Sequence, residues 1–336
     1  MLELLHHLAT LGWRRGGAKI REITIAGVRI WLADFPRRPP DRRAPRRPRG
    51  VLGRDASPRR PATVVLLHGL GGTSTSFYPV VSELRRGFRV VVPDLPGHGL
   101  SRLPRGREYL TFSELVDVVE KLVARVAPRG AYLAGNSMGG WIAVKLAIRR
   151  PDLVRGMALL NPGGPALRAE DWVDFARVLW AEERGDVNEW LGRMFHRPPP
   201  VVRLFRRDLR RLMRAPAVSH LLQNIQAEDF LSEEEMEQVR CPAVLVWGER
   251  DRLIPDGCRA FYLKKLQGIR YEPVPDCGHC PQIECPDRTA EILLQLPGMP
   301  ARPAPCAPAA GGGGSLTPIG VRRRGDLRAV ARVQKG

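Results

Sequence analysis

Short runs rich in Val, Leu and Ile recur along this chain between residues 63 and 274. They lie at residues 63–67, 88–92, 131–134, 157–160, 243–247 and 269–274. Such runs are typical of strands that are buried on both faces. The intervening residues 111–126 carry an apolar stripe at helical spacing, and Thr111 with Glu114 has the pattern of a capping box. Strands that alternate with helices predict an α/β fold with a mostly parallel, doubly wound sheet.

The same patterns predict how the chain is organised. Residues 23–32 contain two short β runs around Ala26 and Gly27, which predicts a hairpin. Between residues 163 and 240 only helical periods occur, which predicts a helical lid inserted into the core. The predicted segments are an N-terminal helix and β-hairpin (1–35), an Arg/Pro-rich loop (36–61), the first part of the core (62–162), the helical lid (163–240), the second part of the core (241–297) and a disordered basic tail (298–336).

The net charge of +19, from 54 basic and 35 acidic residues, raises the question of nucleic-acid binding. Residues 36–61 contain ten Arg and two Asp, and residues 299–336 contain six Arg and one Lys against one Asp. These two Pro- or Gly-rich segments therefore hold most of the excess charge. Because the predicted core carries little of it, we expect no nucleic-acid partner.

Targeting and redox signals point to a cytoplasmic protein. No apolar run approaches the roughly 18 residues of a spanning helix. The first residues lack the positive charge and the small-residue cleavage site of a secretory signal. All six cysteines follow residue 240, which is not the pattern of a disulfide framework, and we expect free thiols.

A strand-to-helix turn is the first candidate for chemistry. The run Gly-Asn-Ser-Met-Gly at residues 135–139 follows a predicted strand and precedes a predicted helix, the context of a nucleophile elbow. Flanking glycines let the backbone turn tightly, so the Ser137 hydroxyl can be held exposed in a strained conformation. The glycine-rich loop after the first core strand can aim the Leu70 backbone N–H at the same point. Leu70 and Met138 are therefore the candidate oxyanion donors.

A serine nucleophile needs a base that an acid orients. Of the seven histidines, only His279 lies downstream of Ser137 at a predicted strand end. Glu249 and Asp251 both lie in the loop after the strand at 243–247. The order serine, acid, histidine is the one that this architecture uses.

Taken together, these residues resemble the α/β-hydrolase superfamily over about residues 20–296. The resemblance rests on His68-Gly69, on the run Pro-Asp-Leu-Pro-Gly-His-Gly-Leu-Ser at 93–101, on the elbow, and on Gly278-His279. It implies an α/β-hydrolase fold in which Ser137 is the nucleophile, His279 the general base and Asp251 the orienting acid. By the same resemblance Glu249 is the weaker acid candidate. Some relatives keep their acid at the position of Asn161, and because this residue is uncharged, Asp251 is favoured further.

Within the superfamily, the runs at 136–140, 161–164 and 278–284 most resemble bacterial lipases and esterases akin to monoacylglycerol lipases. This resemblance implies a small-molecule ester substrate with an apolar acyl group, hydrolysed without a cofactor. Carbon–carbon bond hydrolases of ring-cleavage products share the run Asn-Ser-Met-Gly-Gly, but they commonly carry Trp where this chain has Cys280. A non-catalytic binding protein on the same fold is the other alternative. The sequence leaves the oligomeric state open.

Three further features have competing interpretations. Cys277, His279, Cys280 and Cys285 could hold zinc or perform redox chemistry, but either would occupy the predicted base. Six arginines between residues 203 and 214 lie opposite an apolar stripe, which fits a solvated lid face or a weak contact with a membrane surface. Five aromatic residues could line an acyl pocket or pack within the lid. They are Trp172, Phe175, Trp180, Trp190 and Phe195.

Overall fold

A computed structural model gives the fold. It describes residues 2–39, 61–166, 171, 175, 184–200 and 206–300. The strands are β1 (Lys19–Ile25), β2 (Val28–Phe35), β3 (Thr63–Leu67), β4 (Arg89–Pro93), β5 (Ala131–Asn136), β6 (Val154–Leu160), β7 (Ala243–Gly248) and β8 (Arg270–Val274). They form one eight-stranded sheet in the order β1-β2-β4-β3-β5-β6-β7-β8. The predicted fold class is confirmed, and each predicted core run lies on a strand.

The helices surround this sheet. They are α1 (Leu2–Arg15), α2 (Tyr78–Leu84), α3 (Phe112–Val126), α4 (Met138–Arg149), α5 (Arg184–Met194), α6 (Arg206–Met213), α7 (Pro216–Gln223), α8 (Glu233–Glu237), α9 (Asp256–Lys265), α10 (Pro281–Glu284) and α11 (Pro286–Leu294). Helix α3 begins at the predicted capping box, in which Thr111 and Glu114 each bond the other's backbone N–H. In the described part of the chain, every helix is too short or too polar to cross a bilayer.

The topology brings the carboxyl ends of the core strands to one edge. Strands β1 and β2 form an antiparallel hairpin, and β2 pairs antiparallel with β4. The hairpin turns at Ala26 and Gly27, whose φ angles are +49° and +79°, as expected of a two-residue turn of this kind. Strands β4, β3, β5, β6, β7 and β8 are mutually parallel. Their carboxyl ends therefore carry the loops in which the candidate site residues lie.

Two apolar layers cover the faces of the sheet. One contains α3, α4 and the inner side chains of α9, and the other contains α2, α11 and the buried face of α1. Residues of β3, β5 and β7 alternate between the two layers, so these central strands are buried on both sides. This double burial explains why the strands appear in the sequence as continuous apolar runs.

The chain between β6 and β7 contains helices α5 to α8. This is the segment for which the sequence predicts a lid, and its role as a lid stays a prediction. Trp172, Trp180 and much of the Arg-rich run at 203–214 lie outside the described residues or have no described side chain. The same holds for residues 40–60 of the Arg/Pro-rich loop and residues 301–336 of the basic tail.

Candidate active site

Ser137 lies in the turn between β5 and α4 with φ +55° and ψ −118°. A positive φ is uncommon for a residue with a side chain and marks a strained turn. A Cβ atom on Gly135 would collide with the backbone of Gly139, and one on Gly139 would collide with the backbone of Leu67. The two glycines are therefore needed for the close packing of strand, turn and helix, as the elbow pattern predicts.

The loop after β3 passes directly beside Ser137. A Cβ atom on Gly69 would lie 3.1 Å from the Ser137 Cβ, so the next residue, Leu70, is near the serine. Among the described residues, neither the Leu70 nor the Met138 backbone N–H has a hydrogen-bond acceptor. Both groups are thus available to an oxygen atom that is bound at Ser137.

His279 and Asp251 form a buried pair. The His279 Nδ1 and the Asp251 Oδ2 are 2.8 Å apart, and the two side chains are 3% and 0% exposed. The Asp251 Oδ1 accepts hydrogen bonds from the backbone N–H groups of Leu253, at 2.8 Å, and Ile254, at 3.2 Å. These bonds fix the carboxylate against the imidazole. Glu249, the other acid candidate, is exposed.

Asn161 also bonds to the acid. Its Nδ2 donates to the Asp251 Oδ2 at 2.7 Å, and its Oδ1 accepts from the Gly248 N–H at 3.0 Å. Asn161 is fully buried at the end of β6 and has φ +42°. Its amide thus holds the carboxylate in place. The position of Asn161 at a strand end and its lack of charge can be read from the sequence, but its contact with Asp251 cannot.

A buried amide network joins the serine turn to the histidine loop. The Asn136 Nδ2 donates to the backbone carbonyls of His279, at 2.9 Å, and Leu160, at 3.0 Å. Its Oδ1 accepts from the Gln282 Nε2 at 3.1 Å. Asn136 precedes Ser137, so the network connects the serine turn to the loop that carries His279. No hydrogen bond joins the described side chains of Ser137 and His279, and catalytic hydrogen bonds are often long when no substrate is bound.

An apolar cavity opens at Ser137. Its walls include Leu70, Trp141, Phe175, Leu222 and Phe230. The Trp141 and Phe230 rings stack with centroids 5.5 Å apart, and the Trp141 indole N–H donates to the Asp229 carbonyl at 3.0 Å. The cavity wall is therefore a fixed contact between helix α4 and the insertion. Such a cavity suits an apolar group attached to the atom that Ser137 attacks.

Only part of the predicted aromatic set lies at this cavity. Phe175 lines it, whereas Trp190 and Phe195 are buried in the packing around helix α5. The described aromatic residues of this set thus divide between the cavity and the packing around α5, and binding of an acyl group stays a prediction. Trp141 and Phe230 also belong to the cavity wall, and no sequence pattern indicates this, because their spacing is that of ordinary core residues.

The thiols near His279 are buried. Burial raises the pKa of the Cys277 and Cys280 thiols well above the usual range, so both stay protonated and are poor ligands or nucleophiles. The described residues contain no group of three or more His, Cys, Asp or Glu side chains placed to hold a metal ion. The imidazole of His279 faces Asp251 instead.

His68 supports the loop that carries Leu70. Its Nε2 accepts from the Leu95 N–H at 2.9 Å, so the proton is on Nδ1, which donates to the Gly69 carbonyl at 2.8 Å. Burial, and next the nearby His98, lower the pKa of His68 to about 3. Both ring nitrogens are thus occupied in the neutral form, so the contacts of His68 are structural.

We expect this histidine to make stability depend on pH. The unfolded chain takes up a proton near the ordinary histidine pKa of about 6.5, whereas folded His68 does not until about pH 3. Its contribution is therefore complete above pH 6.5 and falls by roughly 1.4 kcal/mol per pH unit below it. Urea unfolding between pH 7 and pH 4.5 measures the slope, which His68→Gln reduces. An unchanged slope would contradict the assignment, and His7→Gln is the matched exposed control.

A strand-to-helix turn with a positive-φ serine at the end of a central strand, on a mostly parallel eight-stranded sheet, is the arrangement of α/β-hydrolases. The model of the alpha/beta hydrolase family matches residues 64–292, and the chain belongs to that family. Two relatives are enzymes of ester chemistry by name. Lipase 1 of Psychrobacter immobilis is 24% identical over 240 residues, 68% of this chain and 74% of the lipase. The pimeloyl-(acyl-carrier protein) methyl ester esterase of Chromobacterium violaceum is 30% identical over 234 residues, 65% of this chain and 87% of the esterase.

A solved structure shares the fold. A bacterial membrane phospholipase A superposes with a TM-score of 0.71 at 24% identity, covering 88% of this chain and 91% of the phospholipase. The family match and the named relatives make this protein a hydrolase.

Proposed function

We propose that this protein hydrolyses carboxylic esters of apolar acids through an acyl-enzyme on Ser137. The observation that carries the proposal is the buried pair of His279 and Asp251, 2.8 Å apart. The Asn136 amide links this pair to the residue next to the serine. The ester-hydrolysing relatives and the apolar cavity beside Ser137 support the same reaction class.

The mechanism follows from these groups. His279 takes the proton from the Ser137 hydroxyl through Nε2 while the oxygen attacks the ester carbonyl. Asp251 holds the Nδ1–H and stabilises the imidazolium, and the Leu70 and Met138 N–H groups bind the oxyanion. The imidazolium then protonates the leaving alcohol. Water attacks the acyl-enzyme by the same steps and releases the acid.

Substrate class follows from the cavity. The walls formed by Trp141, Phe175 and Phe230 are apolar, so the acyl group is the part of the ester that they accept, with the alcohol leaving past His279. We propose that the insertion at 163–240 covers this acyl group, since Leu222 and Phe230 belong both to the insertion and to the wall.

Two alternative functions predict different assay results. A carbon–carbon hydrolase of ring-cleavage products would turn over a vinylogous diketone faster than any ester in a panel. A non-catalytic binding protein would hydrolyse neither class and would not react with a fluorophosphonate probe at Ser137. Cys280 is small and buried where the carbon–carbon hydrolases commonly carry Trp. This difference supports ester hydrolysis over carbon–carbon bond hydrolysis.

The acyl preference gives a direct test of the cavity. Phe230→Ala removes the ring that stacks on Trp141 and lengthens the cavity. We expect kcat/KM for p-nitrophenyl esters to shift toward acyl chains at least two carbons longer, with the long-to-short ratio rising about tenfold. The measurement is a chain-length series on the purified protein. Phe261→Ala, on α9 and outside the cavity wall, is the control, and an unchanged series in Phe230→Ala would remove this cavity as the acyl site.

A further inference from the structure

Helix α1 exposes apolar side chains to solvent. Among the described residues, four large hydrophobic side chains are exposed: Leu8 (52%), Leu11 (50%), Tyr78 (49%) and Leu263 (38%). Leu8 and Leu11 are three residues apart and share one face of α1. Tyr78 lies at the edge of this face, since a Cβ atom on Gly12, one helical turn after Leu8, would be 3.3 Å from the Tyr78 hydroxyl. Leu8, Leu11 and Tyr78 form one patch, here called the apolar patch.

The opposite face of α1 is fixed to the core. The Trp13 ring stacks on Trp31 and on Tyr78, in each case with centroids 5.9 Å apart. The His6 Nε2 lies 3.3 Å from the Asp94 Oδ2, and both side chains are buried. The helix is therefore held in one orientation, and its outward apolar face does not result from incomplete packing.

Arginines surround the C-terminal end of the same helix. Arg14 and Arg15 are exposed in its last turn. The Arg85 guanidinium donates to the Gly16 carbonyl, and the Arg38 N–H donates to the Arg85 carbonyl at 2.7 Å. Partial burial, and next the charge of Arg38, lower the pKa of Arg85. Arg37 and Arg38 are exposed beside this contact, and the four exposed residues Arg14, Arg15, Arg37 and Arg38 are here called the arginine cluster.

We propose that the apolar patch and this arginine cluster dock the protein on a membrane surface that contains anionic phospholipid. The leucines and the tyrosine enter the interface between headgroups and acyl chains, and the arginines contact the phosphates. A second copy of this chain is a poorer occupant. A two-fold contact would pair this surface with an identical, equally basic surface, which does not complement its charge as anionic headgroups do.

Vesicle flotation tests the proposal on the full chain. Vesicles of phosphatidylcholine with about one third phosphatidylglycerol bind the protein, and pure phosphatidylcholine vesicles do not. Leu8→Ser/Leu11→Ser weakens partitioning at least about tenfold. Arg14→Gln/Arg15→Gln weakens it about thirtyfold at low salt, and added salt weakens binding of the unaltered chain.

Control variants elsewhere on the surface test whether the loss of vesicle binding is specific to the apolar patch and the arginine cluster. Leu263→Ser removes the exposed leucine of α9, and Arg125→Gln/Arg129→Gln removes two exposed arginines at the end of α3; neither changes flotation. Turnover of a soluble short-chain ester, with the melting temperature, shows that each variant is folded, and it reports on the proposed reaction separately from docking. Equal binding to both vesicle types, or unchanged binding in the α1 variants, would overturn the proposal. So would a dimer in sedimentation velocity that the leucine variant dissociates.

Discussion

Ser137→Ala is expected to abolish ester hydrolysis. The substitution removes the oxygen that forms the acyl-enzyme, so kcat for p-nitrophenyl esters falls about 10⁵- to 10⁶-fold. The oxyanion donors and the cavity stay in place and leave a small residual rate. Purified protein is assayed over a range of ester concentrations, with enough enzyme to detect the residual rate.

The same variant loses covalent labelling. A fluorophosphonate forms a bond to the serine oxygen with loss of fluoride, and mass spectrometry of the unaltered chain places the adduct on the peptide that contains Ser137. Ser82→Ala, at an exposed serine of α2, is the control and keeps both turnover and labelling. Undiminished turnover in Ser137→Ala would reject the serine mechanism. If the unaltered protein is labelled at Ser137 but hydrolyses no ester, the serine nucleophile stands and only the proposed substrate class is wrong.

Asp251→Asn has the second-largest expected effect. The Leu253 and Ile254 N–H groups bond the Asp251 Oδ1, so the new amide keeps its oxygen at that position. Its NH₂ group then faces the His279 Nδ1 and favours the tautomer that carries the proton on Nε2. That tautomer cannot accept the serine proton, and the imidazolium also loses its counter-charge. We expect kcat to fall about 10³- to 10⁴-fold. Asp256→Asn, a 79% exposed carboxylate at the start of α9, is the matched control.

A second substitution tests how the acid is positioned. The Asn161 Nδ2 and the His279 Nδ1 contact the same oxygen of Asp251, at 2.7 Å and 2.8 Å. A carboxylate at position 161 therefore ends close to the imidazole. We expect Asn161→Asp in the Asp251→Asn background to recover at least about tenfold of the lost kcat. If the double variant is no faster than Asp251→Asn, the end of β6 cannot supply the acid. Full activity in Asp251→Asn alone would contradict the role of Asp251.

Much of the sheet could be predicted because its strands are buried on both faces. The runs at 63–67 and 243–247 coincide with β3 and β7. Strand β6 begins at Val154, three residues before the predicted run, because Val154 and Gly156 are buried but the intervening Arg155 is exposed. An exposed arginine interrupts an apolar run without ending the hydrogen bonding of the strand. The apolar runs in the sequence thus predict the position of each core strand more reliably than its ends.

The candidate site could be predicted only in part. The elbow gave Ser137 and Met138, since strand, turn and helix are adjacent in the sequence. The choice between Glu249 and Asp251 rested on a resemblance, and the contact between Asp251 and His279 appears only in three dimensions. The bond from Asn136 to the His279 carbonyl spans 143 residues, and no local pattern encodes a contact of that kind.

The sequence by itself determined which segments are buried, where the chain turns at Ser137 and which residue types are available for chemistry. These properties depend on periodicity and on neighbouring residues. The tertiary structure alone decided that Asn161 bonds the acid, that Trp141 and Phe230 close the cavity, and that Leu8 and Tyr78 share one exposed patch. Each is a contact between distant segments, and its geometry depends on how strands and helices cross. One-dimensional patterns do not contain that information.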